Sequence, residues 1–116
     1  MTFSIDEIAR ILRVPRTQIA NYVTRGYIGP RSGKGRRAKF DERDLKAAQI
    51  ACTLTATGRR VLPKIGREGL YRFVDNDVSN ITIGQANARM NVLPSNNLEI
   101  EMPAAITIQV PALPPY

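Results

Sequence analysis

Apolar residues near the start of the chain recur at helical spacing. Ile5, Ile8 and Leu12 fall on one side of a helix that should stop near Arg13. Ser4 and Glu7 stand at the S-x-x-E spacing of a capping box, in which each side chain bonds the backbone N–H of the other. Phe3 before the cap and Ile8 after it have the spacing of a hydrophobic staple. Arg13-Val14-Pro15 reads as a tight turn, with Pro15 in the first turn of the next helix, where its missing N–H costs nothing. Ile19, Tyr22 and Val23 give this second helix an inner face. Thr17, Gln18, Asn21, Thr24 and Arg25 fall largely on the other side. Gly26 is placed to end it.

The periodicity breaks over residues 29–39, which read Gly-Pro-Arg-Ser-Gly-Lys-Gly-Arg-Arg-Ala-Lys. Glycine here predicts a tight hairpin turn, anchored on either side by Tyr27-Ile28 and Phe40. Asp41 then caps a third helix, with Asp44 at the reciprocal position and Phe40 and Leu45 as a second staple. Leu45, Ala48, Cys52 and Ala56 trace one face of it, ending near Gly58. On that face Cys52 reads as a small buried apolar residue. A fourth helix is predicted from about residue 62 to residue 73, with Leu62, Ile65, Leu70 and Phe73 inward and Pro63 in the first turn. Gly66 and Gly69 weaken it, by up to about 1 kcal/mol each relative to Ala.

Beyond Asp75 the period changes from helical to alternating. Ile81-Thr82-Ile83 and Ile106-Thr107-Ile108-Gln109-Val110 read as strands, residues 98–102 as another, and Pro94-Ser95-Asn96-Asn97 as a turn. Strands this short and few cannot form a core alone, so they should pack on the helical part or pair with a second subunit. The predicted fold class is α+β, divided into a helical domain over residues 1–74 and a short β-rich segment over 75–116 for oligomerisation or partner binding.

Charge sharpens this division. The chain of 116 residues carries +7, unevenly. Residues 1–72 hold 16 Lys/Arg against 6 Asp/Glu, whereas residues 73–116 hold Arg89 against Asp75, Asp77, Glu99 and Glu101. A polycationic front half favours a polyanion, and counterion release from nucleic acid is the usual driving force. The chain has no histidine and a single cysteine. That removes the commonest general base, the commonest transition-metal ligand and any intramolecular disulfide. No catalytic cluster, metal site or cofactor motif is found, and an enzyme is the least expected class. No apolar run is long enough to span a bilayer, and the opening residues do not read as a signal peptide, so a cytoplasmic protein is expected.

Helix, tight turn, helix, basic glycine-rich hairpin, helix describes a winged helix-turn-helix. The short second helix, polar on its outer face, fits a major groove about 12 Å wide, and the hairpin supplies cations to flanking phosphates. Over residues 3–58 the chain resembles the MerR superfamily and its excisionase-like relatives. The resemblance rests on Phe3-Ser4-Ile5, Glu7-Ile8-Ala9, Val14, Ile19, Tyr22, Gly26-Tyr27-Ile28, Arg36-Arg37, Phe40 and Asp44-Leu45. It implies the fold and, through the fold, DNA binding. In helix 2 the family often carries an arginine and paired tyrosines. Here Ala20 and Asn21 occupy two of those positions, so only Tyr22 carries over, as a phosphate contact. The long dimerising helix and the effector domains of that family have no counterpart. A second resemblance, to winged-helix antitoxins, is carried by Pro63-Lys64-Ile65-Gly66-Arg67-Glu68-Gly69-Leu70-Tyr71 and the short tail. It implies autorepression and a toxin partner bound through the tail.

The expected partner is double-stranded DNA, bound by a homodimer. Gln18 and Asn21 are the candidate readers of base edges, since amides pair bidentately with adenine. Arg25 is a candidate for guanine or phosphate, and Arg16 and Thr17 for phosphates at the helix start. Arg31, Lys34, Arg36, Arg37 and Lys39 form the expected DNA-binding wing, and Arg59, Arg60 and Lys64, with Arg67, a second basic cluster that can extend the phosphate footprint. Ile81, Ile83, Ile106, Ile108 and Val110 are the expected oligomerisation surface. A sequence-specific regulator, acting as a repressor, is the leading function. An excisionase-type architectural protein uses the same fold, and a protein-binding adapter whose tail holds a partner is the competing class.

Overall fold

In the computed structural model, residues 2–29, 38–58, 61–77, 80–86, 89–94 and 106–113 are described. Helices dominate them. The order is α1 (Ile5–Leu12), α2 (Arg16–Thr24), α3 (Glu42–Thr55), α4 (Leu62–Asp75), β1 (Asn80–Ala86), β2 (Arg89–Pro94) and β3 (Ile106–Gln109).

The first two helices form where their local signals put them. Ser4 Oγ accepts from the Glu7 N–H at 3.1 Å and Glu7 Oε1 accepts from the Ser4 N–H at 3.2 Å, which closes the capping box of α1. The helix ends with Arg13 in the left-handed region (φ 58°, ψ 44°), and the Val14 N–H turns back onto the Ala9 carbonyl at 3.0 Å. Pro15 is the N-cap of α2 (φ −60°, ψ 141°), one position before the first-turn place expected of it. Its fixed φ suits the extended cap as well as a helical turn. Gly26 ends the helix at φ 81°, a conformation that costs glycine least.

The chain leaves α2 through buried Ile28 and Gly29 and returns at buried Ala38 and Phe40. Phe40 and Phe3 form an antiparallel bridge, each N–H donating to the other's carbonyl, at 2.9 and 2.7 Å. Of the expected basic hairpin over residues 29–39, residues 30–37 lie outside the described residues.

α3 starts with a second capping box, Asp41 and Asp44, as its sequence predicts. Its buried surface differs from the predicted stripe. Asp44, Leu45, Ala47, Ala48, Gln49, Ile50, Ala51 and Leu54 are all buried, while Cys52 is half-buried and Ala56 exposed. The cause is position. α3 packs against α4 on one side and meets α1 and α2 on another, so most of its circumference is enclosed.

α4 also departs from expectation. Leu62, Leu70 and Phe73 are buried as predicted, but Ile65 is only partly so, and Tyr71 is buried. Gly66 interrupts the helix at φ 65°, ψ −177°. That region of backbone space is essentially reserved for glycine. Gly66 therefore makes a kink and is not a weak point in a continuous helix.

β1 lies between β2 and β3, antiparallel to both. Ile81 pairs with Pro94 and Ile108, and Ile83 with Val92 and Ile106. The expected strand over residues 98–102 lies outside the described residues, as do residues 95–97 of the expected turn, whose first residue, Pro94, instead ends β2. The sheet is not separate from the helices at its near end. Ile81 is fully buried in the cluster that contains Ile8, Ile19, Leu45, Leu54 and Leu70. Burial of a side chain this size contributes about 1.5–3 kcal/mol. After β3, Val110 and Leu113 pack partly buried against the same cluster, and the Gln49 amide on α3 donates to the Pro111 carbonyl at 2.6 Å.

Candidate nucleic-acid interface

α2 presents one polar stripe to solvent. Arg16, Thr17, Asn21, Thr24 and Arg25 are exposed, and their spacing is that of one helix face. Ile19 and Tyr22 fix the rotation of the helix by burying its opposite side. A groove of about 640 Å³ runs beside the stripe, with Thr17, Gln18, Asn21 and Arg25 on one wall and Thr55 and Leu62 on the other.

The residues expected to touch DNA fall into three states. Thr17, Asn21 and Arg25 are exposed. Arg16 is exposed but paired, its Nε 2.7 Å from Asp6 Oδ1 on α1. Gln18 and Tyr22 are engaged inside the chain. The Gln18 amide donates to Tyr22 Oη at 2.9 Å and reaches Cys52 Sγ at 3.5 Å. Tyr22, only 6% exposed, shares a 2.6 Å hydrogen bond with Thr55 Oγ1. Burial raises the Tyr22 phenol above its ordinary value. A phosphate contact through Tyr22, or base reading through Gln18, would require this bonding to open. Burial also pushes the Cys52 thiol up to about 11, so it stays protonated at neutral pH.

Of the expected wing, Lys39 is exposed beside the Phe3–Phe40 bridge. Arg31, Lys34, Arg36 and Arg37 lie outside the described residues, as do Arg59 and Arg60 of the second cluster. Lys64 is exposed on α4. Arg67, the fourth member, lies against Gly29, so close that a Cβ there would stand 2.2 Å from its Nη2.

The expected oligomerisation residues separate as well. Ile81 is fully buried within the single chain, so it belongs to the core and offers no free surface. Ile83, Ile106 and Ile108 are placed by strand register, and Val110 is partly buried against the core.

A second polar cluster went unread in the sequence. Tyr71 Oη donates to Asp44 Oδ1 and accepts from the Gly29 N–H at 3.4 Å. Asp44 is fully buried, and its Oδ2 accepts from the Asp41 N–H at 3.0 Å. Burial, then the bond to the Asp44 carboxylate, raises the Tyr71 phenol well above its usual range. Arg43 lies over the Tyr71 ring at 4.7 Å and Arg67 at 5.6 Å. Arg43 also donates two 2.7 Å hydrogen bonds to Asp75, which hold that carboxyl below its ordinary value. The capping spacing was a sign of Asp44, but nothing local marks a partner 27 residues away. The other wall of the groove, Thr55 and Leu62, was unmarked for the same reason.

Residues 2–50 match the family model of a helix-turn-helix domain. No curated protein matches the chain. The N-terminal part of the chain is thus similar to a helix-turn-helix domain, with α1 and α2 in the place of its two helices and the exposed stripe on the second. Among the described residues no helix is long and apolar enough to cross a membrane, and no group of three or more His, Cys, Asp or Glu could hold a metal ion.

Proposed function

We propose that the protein is a sequence-specific DNA-binding transcriptional regulator that represses by occupying its operator as a homodimer in the cytoplasm. The observation that carries this is the solvent-facing stripe of Thr17, Asn21 and Arg25 on the second helix of a helix-turn-helix, within a strongly basic front half. In this reading α2 enters the major groove. Asn21 hydrogen-bonds an adenine edge, Arg25 a guanine or phosphate, and Thr17 and Arg16 the backbone near the helix start. The basic segment that follows, a wing of the MerR or excisionase type, neutralises flanking phosphates. It supplies affinity with little sequence preference.

The hydrogen bonds of Gln18 within the chain support a narrower assignment. With Gln18 bonded to Tyr22, base reading passes mainly to Asn21 and Arg25. Dimerisation is proposed through the edges of the sheet, since β1 is already paired on both sides and β2 and β3 are its outer strands among the described residues.

Fluorescence anisotropy at about 150 mM salt, against the chain's own upstream duplex and a scrambled duplex of equal composition, tests the reading. Binding tighter to the native duplex by roughly a thousandfold is expected of a specific autoregulator. Equal, salt-sensitive binding to both would point instead to an excisionase-type architectural protein. Absence of binding to either at low salt would discard the DNA reading and favour the tail as an antitoxin-like protein-binding surface.

A further inference from the structure

We infer that Tyr71 and Arg67 on α4, beyond the stretch that matches the helix-turn-helix domain, are positioning residues for the basic segment that leaves at Gly29. This inference rests on the DNA-binding reading.

The geometry has three parts. Gly29 is the last described residue before the cations Arg31, Lys34, Arg36 and Arg37, and it is buried. Its N–H donates to Tyr71 Oη, and the same oxygen donates to the buried Asp44 carboxylate at the start of α3. One phenol therefore joins the exit from α2, the head of α3 and the middle of α4. The Arg67 guanidinium covers Gly29 from outside. All three of its terminal atoms would lie within 2.8 Å of a Cβ on that residue. Across the segment, the Phe3–Phe40 bridge fixes the chain where it returns. Both points from which the basic segment departs and returns are thus tied to the folded helices, one of them by α4.

A phosphate contact depends on where a cation stands, to within about an ångström or two, and on how few conformations it must give up. Fixing the exit at Gly29 limits both. Arg67 also adds a positive charge at the exit, although its guanidinium is occupied against Gly29 and the Tyr71 ring.

The test uses the full chain and the slope of log Kobs against log[salt], which counts phosphates engaged. Tyr71→Phe removes the hydroxyl that holds Gly29. Gly29→Ala displaces Arg67, and because the guanidinium is the far end of a flexible side chain, little stability is lost. Both variants are expected to bind a nonspecific duplex roughly tenfold more weakly at 150 mM salt, with a slope shallower by about 2, the loss of two phosphate contacts. Arg67→Ala removes the cover over Gly29 while leaving its bond to Tyr71, and should lose part of the slope. Faster exchange of the Gly29 amide in Tyr71→Phe is the expected readout without DNA. Variants that fold, and keep the wild-type slope, would overturn the inference while leaving the DNA reading intact. A wild-type chain that binds no duplex would overturn that reading and the inference with it.

Discussion

α1 and α3 begin with the same device. Each has an N-cap side chain and an acidic residue three positions on, and each box is closed reciprocally. At α1, Glu7 is half-buried and bonds only within its own turn in the described contacts. At α3, Asp44 is fully buried and also receives the Tyr71 hydroxyl from α4. The same local spacing thus makes a helix start in one place and a tertiary junction in the other. Burial makes the difference, and burial is not a property of four residues.

The largest expected effect breaks that equivalence. Asp44→Ala should cost about 3 kcal/mol, since it removes the N3 half of the capping box and leaves the buried Tyr71 hydroxyl without its acceptor, whereas Glu7→Ala should cost about 0.5–1 kcal/mol. Urea unfolding of the two variants checks the ratio, and equal losses would show that Tyr71 adds nothing to the α3 box.

The stripe on α2 gives the next comparison. Asn21→Ala should erase about 2 kcal/mol of discrimination between specific and scrambled duplexes. Gln18→Ala should leave discrimination largely unchanged and instead lower the melting temperature, because its amide is spent on Tyr22 and Cys52. Anisotropy and thermal melts on both variants separate reading from packing.

Gly66 sharpens the contrast between local preference and fold. Helix propensity alone makes Gly66→Ala stabilising by up to about 1 kcal/mol. With φ at 65° and ψ at −177°, the substitution should instead destabilise by about 1–2 kcal/mol. The sign of the change in denaturation midpoint decides between them.

These cases also show what the sequence could reveal. Caps, staples and the stop at Gly26 are short-range physics, and Ser4, Glu7, Asp41, Asp44 and Gly26 could be read directly. The exposed side of α2 was legible because Ile19 and Tyr22 mark its inner side. The hydrogen bonds of Gln18 and Tyr22 were not. Thr55, which bonds the Tyr22 hydroxyl, lies 33 residues away in sequence. Ile81 read as a surface strand residue because alternation reports a half-buried face without saying what covers it. Gly66 read as a helix weakener because composition carries no backbone angle.

A smaller effect follows from Tyr71. Its phenol is held protonated above the ordinary 10.0, so the folded chain keeps a proton that the unfolded chain gives up. Its contribution is fully present below about pH 10 and declines as pH rises beyond it. Tyr22 shifts the same way. Stability measured from pH 8 to 11 should fall at the alkaline end, less steeply in Tyr71→Phe.

The smallest expected effect is at Asp6. It pairs with Arg16 at the solvent-exposed start of α2. Asp6→Asn should tighten nonspecific DNA binding about two- to threefold, as one more cation becomes available. No change in anisotropy would mean that Arg16 does not meet the backbone.

The most direct measurement is the change in backbone amide NMR shifts of the full chain as a duplex containing its upstream region is added. The largest shifts are predicted at Thr17, Asn21, Thr24 and Arg25, with smaller ones at Gly29 and Lys39 beside the basic segment. Shifts confined to the β1–β3 sheet and the tail, with α2 unmoved, would contradict DNA reading by this helix.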